Sequence, residues 1–239
     1  MIPALPIKKF LILCLFSMLY LWAPTGGAVA QTDRPDFGSW FIYNGTFHYK
    51  DRWLLFLESQ TRTYNPVTDP QTFFIRPYIG YKIADQFTFW IGNEYHRSWN
   101  YPLEDMPRAA KQEYRLTLQG ILTSKINRIK FQHRYRYEFR YFDKGEDLHK
   151  QRARYRIQVK VPLNKGNGEQ GSIFSNIGNE IMVDASPDIA VSQNRLYGMV
   201  GYQFTPNIDM QFGYMNIIFE NKMVDHRMLF MFNHKLKFK

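Results

Sequence analysis

Residues 129–142 read IKFQHRYRYEFRYF and residues 151–161 read QRARYRIQVKV, with a polar loop between them. Both arms alternate strictly. In the first, Lys130, Gln132, Arg134, Arg136, Glu138 and Arg140 share one parity, and Ile129, Phe131, His133, Tyr135, Tyr137, Phe139 and Tyr141 share the other. In the second, Arg152, Arg154, Arg156, Gln158 and Lys160 oppose Ala153, Tyr155, Ile157, Val159 and Val161. Successive side chains of a strand point to opposite faces, so each arm has one charged face and one apolar, aromatic face. A soluble sheet buries its apolar face, whereas a membrane barrel turns that face to lipid and the charged one to its lumen. Which arrangement holds decides what the protein is.

The same alternation recurs in both directions along the chain. Eleven segments carry it, near 37–49, 52–63, 71–83, 86–98, 111–123, 129–142, 150–161, 172–183, 194–204, 208–219 and 225–238. Most exceed the five or six residues usual for a strand in a soluble domain and suit a tilted strand crossing a bilayer, about 9–11 residues. Pro77 removes a ladder donor from 71–83 and predicts an edge, a bulge or a bend there. Short links at 48–52, 82–86, 124–129 and 205–208, with a longer one at 164–171, alternate with polar links at 64–70, 99–110, 143–149, 184–193 and 220–225. Tight turns on one side and larger loops on the other are the plan of an outer-membrane barrel. Trp40, Trp53, Trp90, Trp99 and Tyr101 near strand ends fit interfacial girdles, with Trp90 on the lumen parity. The expected fold is all-β, an antiparallel up-and-down transmembrane barrel of about 10–12 strands. An even count is the rule for bacterial single-chain barrels, so eleven segments predict ten or twelve strands with one segment missed or not spanning.

The first thirty residues read as a cleaved secretory leader. Lys8 and Lys9 precede an apolar run from Phe10 to Ala23, and Ala28-Val29-Ala30 supplies a small-x-small site before Gln31. Residues 31–239 then form one barrel domain without cysteine, since Cys14 lies in the leader. That excludes a disulfide framework despite an exported route. Without Lys8 and Lys9 the 31 Lys and Arg become 29, against 21 Asp and Glu, a net +8. The basic residues are dispersed along strands and interleaved with Glu, which speaks against nucleic acid as a partner. The negative mean hydropathy is compatible with barrel strands, which are only half apolar.

The strongest constellation is the ladder on the predicted lumen parity: Glu58, Arg62, Arg76, Glu94, Glu113, Arg115, Arg134, Arg136, Glu138, Arg140, Arg152, Arg154, Arg156, Glu180 and Arg195. In a narrow barrel these charges must pair across strands, because a lone buried charge costs several kcal/mol. They read as a structural plug of salt bridges or, since Arg outnumbers Glu, as a selectivity lining for a small anionic solute. Glu94, His96 and Ser98 share one face of one strand, the nearest thing to a hydrolase set. Neighbours at i and i+2 lie about 6–7 Å apart along a strand, too far for direct relay unless the side chains lean together. The six histidines show no H-x-x-x-H pairing, and Asp143, Glu146 and Asp147 lack a full calcium-loop pattern. No catalytic, cofactor or metal site is read from the sequence.

Several motifs together resemble one family. DFGSW at 36–40, Glu58-x-Gln60-x-Arg62, QEYRL at 112–116, HRYRYEFR at 133–140, RARYRIQVKVPL at 152–163, the Asn179-Glu180 pair and QNRLYGMVGY at 193–202 are similar to the bacterial family catalogued as domain of unknown function 2490. The resemblance covers 36–238 and implies an outer-membrane barrel without an established activity. The expected partners are outer-membrane lipid and the barrel-assembly machinery during biogenesis, together with the small anionic solute that the Arg excess of the lumen face suggests; the resemblance itself implies no substrate. The expected role is a non-enzymatic, porin-like or structural envelope protein. Its rivals are an outer-membrane lipid-modifying enzyme and a soluble periplasmic barrel of lipocalin type, whose apolar parity would face inward.

Overall fold

The structure is a computed structural model that describes residues 34–102, 108–145, 147–186 and 188–237. Thr32–Lys239 forms one compact unit. The expected leader at 1–30 and residues 238–239 lie outside the described residues. Eleven strands follow in order: β1 (Phe37–Tyr49), β2 (Trp53–Thr63), β3 (Pro70–Lys82), β4 (Phe87–Trp99), β5 (Ala110–Ile126) and β6 (Ile129–Phe142), then β7 (His149–Pro162), β8 (Ile173–Ser186), β9 (Ala190–Thr205), β10 (Ile208–Phe219) and β11 (Val224–Lys237). Each alternating segment read from the sequence becomes one strand.

Consecutive strands pair antiparallel from β1 through β11, and β11 then pairs with β1 to close the barrel. That last pairing is parallel, with Phe37 opposite His226 and His48 opposite Lys237. The even-number expectation is therefore corrected: the described residues form eleven strands, and these close the ring by themselves. In a meander of odd length the first and last strands run the same way, so the ring closes only through a parallel ladder. Parallel bonds are slanted and slightly weaker per residue, and this seam is braced on both faces. Outside, Phe41 stacks on Phe230 with centroids 5.1 Å apart and Tyr43 on Phe232 at 5.9 Å. Inside, the Asn44 amide donates to Asn233 at 2.8 Å.

The loop asymmetry is weaker than the sequence implied. The link at 184–193 contracts to residues 187–189 because β8 and β9 extend into it, while the turn side carries the long connection 163–172. Pro77 gives neither an edge nor a register shift. It pairs with Leu57 on β2, and the β3–β4 ladder omits Arg76 and Pro77 before resuming in the same register. A Cβ on Gly92 would lie 2.5 Å from the Pro77 carbonyl oxygen, so glycine permits that close approach.

The charged parity faces inward and the apolar parity outward. Glu138 is 0 % exposed, while neighbouring Tyr135 is 53 % exposed, and Phe89, Ile91, Tyr114, Ile177, Val200 and Phe212 are exposed like it. The lipocalin-type arrangement, apolar inside, is thereby reversed. Inward aromatics fit a narrow interior by lying over glycines directly opposite: Trp90 over Gly80, Tyr78 over Gly92, Tyr197 over Gly178 and Phe174 over Gly201. Trp40, expected in a girdle, is instead buried inside with Tyr197, Met199, Met215, Ile217 and Leu229. It shares the inward parity of Asn44, which a position near a strand end does not reveal.

Candidate functional site

The barrel interior holds a continuous ionic belt. On β2 and β3, Arg76 reaches Glu58 at 2.7 Å and, farther off, Glu94 of β4 at 3.6 Å. Glu94 also faces Arg115 of β5 and Arg136 of β6, each at 3.8 Å. Both of these arginines approach Glu138 at 3.7 Å. Arg152 and Arg154 of β7 then bind Glu138 at 2.7 and 2.6 Å. The belt continues through Glu180 of β8, which takes Arg154 at 2.8 Å, Arg134, and Arg195 of β9 at 3.6 Å. Toward the long-loop end, Glu113 accepts from Arg115 and Arg140, each Nε at 2.6 Å.

The sheet geometry explains why carboxylates sit where they do. Register places Arg134 opposite Arg156, Arg136 opposite Arg154, and Arg115 opposite Arg140. Like charges directly opposite are destabilising. Single carboxylates, each shared among several guanidiniums, supply the compensation: Glu138 touches four arginines and Glu180 three. Removing one partner of such a buried set costs about 3–5 kcal/mol.

Two of the fifteen sequence-predicted residues stand apart. Arg62 donates to Gln60 Oε1 at 3.2 Å and lies over the Trp40 ring at 3.7 Å. Arg156 donates to Gln132 Oε1 at 2.8 Å. Neither has a carboxylate within 4.0 Å among the described residues.

Beside the belt lies a cavity of about 400 Å³ whose wall runs from Trp40 and Arg62, near the long-loop ends of β1 and β2, to Lys160 and Lys235 near the short turns. Its wall includes Arg62, Arg156 and the cavity-facing members of the belt, together with Lys160, Lys235 and Asp209. Nine Arg and Lys side chains meet three Asp and Glu there. Glu94, Glu113, Arg115, Glu138, Arg140 and Arg152 belong to the belt but not to this wall.

The Glu94, His96 and Ser98 set is only partly assembled. The His96 ring lies 2.9 Å from Glu94 Oε2, so those side chains do lean together. Ser98 pairs with Thr72 at 3.1 Å rather than with His96. Glu94 is engaged as well by the Tyr78 hydroxyl and, at 2.9 Å, by Thr117. A general base needs a nucleophile within reach; here the serine is turned to another hydroxyl.

The family model described as protein of unknown function (DUF2490) matches residues 37–227. The chain belongs to that family. No match was found among curated proteins or among solved structures. The match takes in ten complete strands of this DUF2490 protein, the start of β11, and every member of the belt.

Other charged groups of this DUF2490 protein escaped the sequence reading. Arg227, 1 % exposed, donates to Asp225 at 2.6 Å and to the Asp36 carbonyl, and Arg34 also pairs with Asp225. Lys235 of the cavity wall was missed too, and Lys160, placed on the charged parity, was not counted in the ladder. On β11 the inward parity mixes Arg227 and Lys235 with Leu229 and Met231, so it does not stand out as a charged face.

Proposed function

We propose that this protein is a non-enzymatic barrel of the bacterial outer membrane, spanning the bilayer with a lumen largely plugged by the Arg/Glu belt. One observation carries the reading: the charged parity is buried inside while aromatic and aliphatic side chains cover the outside. In water that partition is costly, since exposed apolar area loses about 25 cal/mol per Å² relative to burial. In lipid it is the favourable one, and a closed ring leaves no strand edge unpaired. Strands of 11 to 17 residues are long enough to cross the hydrocarbon core at a tilt. Export through a cleaved leader at 1–30, lipid as the surrounding partner and insertion by the assembly machinery belong to this reading.

Envelope fractionation tests it. The protein is expected to stay with outer membrane through high-salt and carbonate washes; release into the wash overturns the membrane assignment. Planar bilayers test the plug: folded protein is expected to give no steady conductance, and well-resolved current steps would favour the porin-like conduit. The lipid-modifying enzyme is disfavoured by the Ser98–Thr72 pairing. Lipid deacylation that is lost in His96→Ala would restore it.

A further inference from the structure

We propose that the cavity beside the belt binds a small soluble molecule carrying two or more oxyanion charges, gripped by Arg62 and Arg156, with Lys160 and Lys235 lining its turn end. This deepens the reading above by giving the lumen a ligand, and it rests on the folded barrel rather than on its insertion in a membrane.

The argument is a contrast within one interior. A plug neutralises its arginines with carboxylates, and the belt does so at Glu58, Glu94, Glu113, Glu138 and Glu180. The four cations named have no such partner within 4.0 Å among the described residues. Three of them are held by neutral groups instead. Arg62 is bonded to Gln60 and packed on Trp40, Arg156 is bonded to Gln132, and the Lys160 ammonium lies 3.4 Å from the Phe174 ring centroid. The charges acting most strongly on Arg62 are the guanidiniums of Arg195, Arg76, Arg115 and Arg154. Gln60, 2 % exposed and on the same wall, leaves its Nε2 without a hydrogen-bond partner among the described residues.

Glu180 stands opposite Arg156 in the ladder, but its two oxygens are taken by Arg134 and Arg154, and Asp209 is the acid acting on Lys160. Cations fixed by stacking and amide bonds, with no carboxylate bonded to them, are preorganised for an anion. Guanidinium forks match phosphate and carboxylate oxygens in pairs. The volume, about 400 Å³, lies in the range of small-ligand pockets. Lys235 is exposed at the turn end, and Lys130 stands directly opposite Lys160 in the ladder, so the approach is positive as well.

The test uses the full chain folded in detergent, titrated calorimetrically with sodium pyrophosphate. Saturable one-to-one binding is expected, weakened tenfold or more in Arg156→Gln and in Arg62→Gln. Outward-facing Arg97→Gln should bind as the unaltered protein does. Circular dichroism and heat-modifiable migration verify that each variant is folded. Absence of saturable binding, or binding that both cavity variants retain, overturns the site. Dihexanoyl phosphatidate forms a second arm: binding of that headgroup without pyrophosphate binding overturns a free soluble ligand. Protein that washes off membranes yet binds pyrophosphate would sink the membrane reading and leave the site standing; inserted protein that fails to bind would do the reverse.

Discussion

From β2 to β9 the inward face is a belt of shared ion pairs, whereas from β9 through β11 to β1 it is built around an apolar cluster of Met199, Met215, Ile217, Leu229 and Trp40, with Asn44, Asp209, Asn233 and the Asp225–Arg227 pair above and below it. The two sectors meet at Trp40, where Arg62 and Arg195 both lie against the indole, at 3.7 and 5.0 Å. The parallel seam falls in the apolar sector. That location has a physical sense: non-directional packing tolerates the slanted ladder of a parallel pair, while a charge network depends on particular side chains arriving at bonding distance. The belt instead spans consecutive antiparallel strands, whose hairpins fix register locally.

The largest break in this comparison comes from the belt. Glu138→Gln leaves four arginines without their shared carboxylate and is expected to cost about 3–5 kcal/mol, read from urea unfolding of the detergent-folded barrel. Both sectors share one outer face, so Tyr135→Arg should cost about 2–4 kcal/mol of folding into vesicles if that face meets the bilayer midplane. In a water-exposed barrel the same change would be nearly neutral. Within the apolar sector, Leu229→Ala is expected to cost about 2–3 kcal/mol, near the low end for such truncations because Leu229 borders the cavity. A loss equal to that of Glu138→Gln would erase the distinction between sectors. The smallest effect sharpens it: Arg62→Gln removes a cation with no carboxylate partner and should shift stability by less than about 0.5 kcal/mol. A loss as large as that of Glu138→Gln would place Arg62 inside the belt energetically and weaken the anion site.

Much of the fold is legible in short stretches. The alternation of HRYRYEFR at 133–140 marks a strand and divides its faces, and the same reading works even for β3, where Pro77 interrupts pairing on one side only. The belt was legible as a parity but not as a set of bonds. Nothing local says that Glu138 serves four arginines while Arg156, two positions from Arg154 on the same strand and opposite Glu180, bonds a glutamine amide and no carboxylate among the described residues. The cavity wall was legible least, because Lys160 and Lys235 come from β7 and β11 and share no motif.

The sequence by itself determined where the strands lie, which residues share a face, and the family the chain resembles, because period-two alternation is a property of consecutive residues. Three things waited for the tertiary structure. One was the sign of the faces, since alternation looks the same with either face inward. Another was the strand count, which rests on β1 meeting β11 across nearly the whole chain in a parallel ladder. The last was the partnering of charges, in which the hairpin at 129–161 receives its counter-charges from Glu94 on β4 and Glu180 on β8 as well as from its own Glu138. All three depend on contacts between residues far apart in the chain, and no local pattern encodes them.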